Sequence, residues 1–112
     1  MSAWRVTVRT GPKVEHKRPA SLEEALDAVE LHARAGANTE RLPPVDTRIQ
    51  RYEPGDQVAV RVELHGPRVA GGIDVRGDGA VEPWTGRWRR RPLAVQDGET
   101  PYEALRRVLS ER

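Results

Sequence analysis

The sequence contains no cysteine and no phenylalanine. Without thiols, the chain has no disulfide, no thiolate metal ligand and no cysteine nucleophile. Without phenylalanine, its core must come from thirteen valines, the leucines and isoleucines, and Trp4, Trp84 and Trp88. Because β-branched side chains fit a pleated surface better than a helix, this composition favours a sheet.

Long apolar runs are also absent. No stretch approaches the roughly 20 apolar residues that a membrane helix needs, and the N-terminus shows no apolar segment of a secretory signal. We therefore expect a cytoplasmic protein with no membrane partner. A chain of 112 residues has the size of one domain, and we expect a single domain over residues 1–112.

Lysine is scarce, with two residues against seventeen arginines, a bias typical of a GC-rich bacterial genome. The formal net charge is only +2, so the distribution of charge says more than its total. Two segments concentrate opposite charges, which predicts a dipolar surface. The acidic set consists of Glu23, Glu24, Asp27 and Glu30, and the basic segment contains Arg87, Arg89, Arg90 and Arg91.

Apolar spacing predicts two helices. Ser21 followed three residues later by Glu24 forms a capping box, and the period of the apolar residues predicts a helix over 21–35 that ends at Gly36. Thr100 and Glu103 repeat this capping pattern and predict a second helix that runs to the C-terminus.

Alternating residues predict five strands. They lie at 4–10, at 47–52, at 58–65, between the turns at 66–67 and 77–79, and at 80–90. The order β-α-β-β-β-β-α predicts an α+β fold, a two-layer sandwich with two helices on one face of a mixed, mostly antiparallel sheet of four to five strands. The helix between the first two strands permits a right-handed parallel crossover there.

The last predicted strand carries the most unusual local composition, a tryptophan-arginine cluster over 84–91. A period of two places Trp84, Gly86 and Trp88 on one face, which we expect to lie beneath the helices. The arginines then face solvent. Pro83 cannot donate to a ladder, and a bulge at Pro83 would exchange the two faces and expose both tryptophans.

Solvent-facing arginines on several strands form a candidate surface for a polyanion or another partner. The set is Arg5, Arg9, Arg61, Arg87, Arg89 and Arg91. Glu63 and Asp74 fall on the same face, so cross-strand ion pairs are the alternative use of these charges.

Catalytic and metal-binding patterns are not found in the sequence. His16, His32 and His65 lack the short spacings of metal ligands, and Ser21 is already used as a helix cap. We therefore predict no catalytic residue, no metal site and no cofactor.

Three classes of function follow. The first is a non-catalytic binding or accessory module that contacts a protein partner through its charged surfaces, with the acidic set as a partner face or as one half of a homodimer contact. The second is an RNA- or ribosome-associated protein that uses the arginine-rich outer face of the sheet. The third is a small enzyme whose site is assembled by the fold or by a dimer interface.

Overall fold

The computed structural model describes residues 3–37, 45–46, 51–52 and 58–111. Within these ranges the elements are, in chain order, β1 Arg5–Thr10, β2 Lys13–Lys17, α1 Leu22–Ala37, β3 Val45–Asp46, β4 Arg51–Tyr52, β5 Val58–His65, β6 Ala70–Arg76, β7 Val81–Thr85, β8 Arg91–Pro92 and α2 Pro101–Ser110.

Six of these strands form one sheet in the order β2-β1-β5-β6-β7-β8, and every neighbouring pair is antiparallel. Strands β3 and β4 form a separate antiparallel pair. α1 packs mainly on β5, β6 and β1, whereas α2 packs on β7 and β6. The α+β fold predicted from the sequence is thus confirmed.

The hydrophobic core lies between one face of the six-stranded sheet and the two helices. Val62, Leu64 and Ile73 are fully buried on this sheet face, and Leu105 and Leu109 of α2 are buried against it. We call the opposite side of the sheet its outer face. It carries the alternate residues of the same strands.

The topology differs from the expectation in two respects. The sheet has six strands instead of four to five, and the described residues contain no parallel strand pair. Two strands of the sheet were not predicted, β2 and the short β8, which follows the earlier end of β7. β2 forms because Gly11, whose φ is 59°, allows a tight turn that folds residues 13–17 back onto β1. Because this segment is mostly charged and exposed, it lacks the alternation that would reveal a strand.

Part of the prediction lies outside the described residues. Of the strand expected at 47–52, only Arg51–Tyr52 is described, and it pairs with β3 in the separate ladder. The turn expected at 53–56 is not among the described residues.

The predicted end of the first helix at Gly36 is wrong, because α1 continues through Gly36 to Ala37. Both predicted N-terminal caps are confirmed. Ser21 Oγ accepts a hydrogen bond from the Glu24 amide at 3.2 Å, and Thr100 Oγ1 accepts one from the Glu103 amide at 3.1 Å. The carboxylate of Glu103 accepts the Thr100 amide in return at 2.9 Å, which completes the capping box of α2.

The expected orientation of the tryptophans is wrong. In the β6–β7 ladder, Pro83 lies opposite Ile73 and Trp84 opposite Gly72. Since Ile73 faces the helices, Trp84 lies on the outer face, where it is 5% exposed. The β6–β7 pairing stays in register through Pro83. β7 ends at Thr85, and Trp88 lies in the turn that follows, 96% exposed.

Candidate functional site

The outer face of the sheet is held together by buried carboxylates. Asp74 is 7% exposed and accepts a two-pronged interaction from Arg61, at 2.8 Å to Oδ1 and 2.9 Å to Oδ2. Oδ1 also accepts the indole N–H of Trp84 at 3.0 Å. The charge of Arg61 is therefore compensated within the fold.

Glu63 forms the second charge cluster of the outer face. Its carboxylate pairs with Arg9 and, at 3.5 Å, with Arg90, whose guanidinium lies 4.9 Å from the centroid of the Trp84 ring. Burial raises the pKa of Glu63, but the hydrogen bond and charge of Arg9 and the charge of Arg90 outweigh burial and hold that pKa below its usual value. Arg9 and Arg90 thus balance a buried negative charge.

The six arginines proposed as one surface divide into two groups. Arg5, Arg9 and Arg61 lie on the outer face, where Arg5 is exposed opposite His65 and the other two are ion-paired. The alternative of cross-strand ion pairs therefore holds for Arg9 and Arg61. The remaining three, Arg87, Arg89 and Arg91, line a cleft at one end of the sheet.

This cleft, which we call the arginine cleft, lies between the β5–β6 turn and the β7–β8 turn and has a volume of about 370 Å³. Four arginines and one tryptophan line it, namely Arg68, Arg87, Arg89, Arg91 and Trp88. None of the described residues that line it is acidic. Its electrostatic potential is therefore set by positive charge in a concave surface, which favours an anionic ligand.

The local backbone holds the cleft in shape. Gly86 has a φ of 121°, and a Cβ atom there would lie only 2.0 Å from the carbonyl oxygen of Arg89. The Gly86 amide donates to the Ala70 carbonyl at 2.9 Å, which joins the β7–β8 turn to the start of β6. Only glycine is compatible with this tight turn.

Arg87 links the two turns of the cleft. Its Nη2 donates to the carbonyl oxygen of Gly66 at 2.7 Å and more weakly to that of Val69 at 3.4 Å. Neutral carbonyls anchor the guanidinium without cancelling its charge. Arg87 therefore both supports the cleft and adds to its positive potential.

Trp88 differs from the other two tryptophans. The Trp84 ring is buried, and Trp4 packs against Gly66 at the edge of the core. At 96% exposure, Trp88 contributes almost nothing to the core of the described fold. A large aromatic side chain so exposed, flanked by arginines, is typical of a contact residue for a ligand or partner.

The sequence did not predict two features of this site. Arg68 lies in the β5–β6 turn, far along the chain from the tryptophan-arginine cluster, and only the fold brings it to the cleft. The exposure of Trp88 had a local signal in Gly86, because a glycine in a strand pattern often marks the place where the strand breaks.

His65 lies at the end of β5, between the outer face and the cleft. Its Nδ1 is buried and has no hydrogen-bond partner among the described residues. Burial lowers the pKa of the imidazole. Glu63 opposes this shift, whereas the charges of Arg5, Arg87 and Arg90 add to it. The net pKa lies below its usual value, so the folded protein favours the neutral ring.

The acidic set is largely engaged within the molecule. Asp27 and Glu30 both pair with Arg106 of α2, and Glu30 also accepts from Arg34 at 2.7 Å. Glu24 accepts the Ala20 amide at 2.8 Å near the start of α1, and the fourth member, Glu23, is exposed. Head-to-tail association through this set stays a prediction.

No protein-family model, curated protein or solved structure matches this chain. The two described helices are too short or too polar to span a lipid bilayer. Among the residues that the structure describes, no three potential metal-ligating side chains come together.

Proposed function

We propose that this protein is a non-catalytic binding module for single-stranded nucleic acid, in the first place RNA, and that the arginine cleft is its contact site. One observation carries the proposal. Trp88 is 96% exposed at a cleft lined by four arginines and, among the described residues, by no carboxylate.

Arginine and tryptophan each provide one of the two interactions that hold a single strand, phosphate neutralisation and base stacking. Arginines neutralise backbone phosphates, and an aromatic ring stacks on a base regardless of its identity. A base is available for stacking only when it is unpaired, because duplex bases are already stacked on their neighbours. An exposed tryptophan therefore favours a single strand over a duplex.

The charge of the cleft is available to a ligand. Arg68, Arg89 and Arg91 have no ion-pair partner among the described residues, whereas the carboxylates of the outer face are paired with Arg9, Arg61 and Arg90. The fold thus gathers three arginines without an ion pair among the described residues around Trp88.

A protein partner, which the sequence favours, is the competing proposal, since tryptophan and arginine also dominate protein contact sites. An acidic peptide without aromatic residues would engage the arginines but would offer no base to Trp88. The two partners therefore differ in how strongly binding depends on the indole ring.

The test is fluorescence anisotropy with a labelled single-stranded RNA over a series of salt concentrations. We expect Trp88→Ala to weaken binding roughly 5- to 150-fold, the equivalent of about 1–3 kcal/mol for one stacked base. The double variant Arg89→Ala/Arg91→Ala should flatten the slope of log K against log salt by about 0.7 for each phosphate that is no longer neutralised.

Arg18→Ala is the matched control, because Arg18 is exposed, carries the same charge and does not line the cleft. It should leave both the affinity and the salt slope close to those of the parent protein. The proposal fails if Trp88→Ala binds as tightly as the parent, if a duplex RNA of equal length binds as well as the single strand, or if polyglutamate competes as effectively as RNA.

A further inference from the structure

The size of the arginine cleft limits how much of a strand it holds. Its volume of about 370 Å³ lies at the small end of the roughly 300–1,000 Å³ range of small-molecule sites. A cleft of this volume accommodates about one nucleotide unit of a strand. The cleft is therefore a site for about one nucleotide and not for a long stretch of strand.

The charge of the cleft exceeds what an internal nucleotide offers. Each internal phosphodiester carries one negative charge, whereas four guanidinium groups line this single-nucleotide volume. A terminal phosphate monoester carries about −1.5 to −2 at neutral pH and presents three acceptor oxygens. It matches the excess of positive charge better than a diester does.

The hydrogen-bonding capacity of the cleft arginines also favours a phosphate monoester. Arg68, Arg89 and Arg91 make no hydrogen bond to a carboxylate among the described residues, so each retains a planar fork of donors. Such forks bind phosphate oxygens in pairs. Several forks around one pocket exceed the two free oxygens of a diester, but they suit the three oxygens of a monoester.

We infer that the arginine cleft binds the terminal nucleotide of a strand, with its phosphate monoester among the arginines and its base stacked on Trp88. This inference rests on the proposed function and narrows it from single strands in general to phosphorylated ends. The shared chemistry is a nucleoside phosphate monoester, which a 5′ end, a 3′ end or a free nucleotide can supply.

The experiment compares RNA 10-mers of one sequence, labelled at one end and carrying either a phosphate or a hydroxyl at the other. A 5′-phosphate pair and a 3′-phosphate pair are measured, and a free nucleoside monophosphate serves as a competitor. We expect one phosphorylated end to bind about tenfold more tightly than its hydroxyl counterpart, the gain from about one charge-assisted hydrogen bond. The probe that shows this preference identifies the source of the monoester.

Two variants test whether the preference for a phosphorylated end depends on the arginine cleft or on positive charge elsewhere on the surface. Arg68→Ala should remove most of the preference for the phosphorylated end, because Arg68 reaches the cleft from the opposite turn. Arg18→Ala should keep the preference intact. Both side chains are exposed, and circular dichroism verifies that each variant remains folded.

The outcomes distinguish the two proposals. If phosphate- and hydroxyl-ended strands bind equally while Trp88→Ala still weakens both, the terminal pocket is excluded and single-strand binding stands. If Arg68→Ala leaves the preference unchanged, the pocket is also excluded. If no RNA binds, both proposals fall.

Discussion

Gly86 is a position in the candidate site that does not tolerate a side chain. Its φ of 121° lies in the region that favours glycine, and the carbonyl oxygen of Arg89 already occupies the space for a side chain, 2.0 Å from where a Cβ atom would lie. The shape of the arginine cleft depends on this turn, because Gly86 precedes Arg87 and Trp88 directly. A side chain here must move the backbone.

We expect Gly86→Ala to lower the free energy of unfolding by about 2 kcal/mol or more, since it adds a steric clash to an unfavourable φ. Urea unfolding with an unchanged m value measures this loss. Gly98→Ala is the matched control, because Gly98 also has a positive φ, 79°, but has no atom within 4 Å of its Cβ position. Equal losses in the two variants would contradict the steric argument.

Asp74 is the residue on which the outer face depends. One largely buried carboxylate accepts from both Arg61 and the indole of Trp84. Its removal leaves two donors without their acceptor, and one of them carries a charge. The cost of such unpaired groups exceeds the net value of the bonds themselves.

We expect Asp74→Ala to destabilise the protein by about 2–4 kcal/mol. The control is Glu82→Ala, which removes a carboxylate that is 53% exposed and pairs with Arg76 at 3.0 Å. That exposed pair should contribute only about 0–1 kcal/mol. Chemical denaturation of both variants gives the comparison, and a loss for Asp74→Ala no larger than that for Glu82→Ala would refute the role of Asp74.

At the scale of elements, α2 shows how a short helix is stabilised. It has only ten residues, a length at which an isolated helix is marginal in water. Leu105 and Leu109 anchor it against the sheet, where Gly71 leaves room for both side chains. The cap at Thr100 and Glu103 satisfies the first amides that the helix itself leaves unbonded.

We expect Thr100→Ala to cost about 1 kcal/mol of stability, because the Glu103 amide loses its acceptor. Thr100→Ser keeps the hydroxyl and should cost much less. Thermal and urea unfolding measure both. If serine and alanine destabilise equally, the cap bond does not contribute as the structure implies.

At the scale of the whole molecule, His65 couples stability to pH. Its pKa in the folded state lies below the ordinary value of 6.5, mainly because of burial, with Arg5, Arg87 and Arg90 adding to the shift against Glu63. The unfolded chain therefore binds more protons than the folded one as the pH falls below 6.5. The contribution of the neutral His65 ring to the free energy of unfolding is fully present at pH values well above 6.5 and decreases as the pH falls below 6.5.

We expect the free energy of unfolding to fall as the pH is lowered from 7.5 to 5.5, and we expect His65→Asn to reduce this slope. Glu63 stays ionised across this window, because its pKa lies below the usual 4.5. Urea unfolding at several pH values tests this. The same slope in the variant and the parent would show that other groups cause the decline.

The sequence alone determined the features that depend on neighbouring residues. The capping patterns at Ser21 and Thr100 marked where the helices begin, since a cap acts within one turn. The alternation in β5 and β6 identified their core faces, because side chains in a strand change sides at every residue. These local rules were sufficient for the α+β fold and for both helices.

Tertiary structure decided which charges and rings are available to a ligand. Trp84 lies on the outer face because its side is set by pairing with β6, and Trp88 is exposed because β7 ends before Gly86. The partners of Arg61 and the arrival of Arg68 at the cleft depend on residues distant in the chain. The sequence shows how many arginines the chain contains. Which of them are neutralised and which line the cleft is determined by strand pairing and turn geometry, because ion pairs and cleft walls form between residues that are distant in the chain.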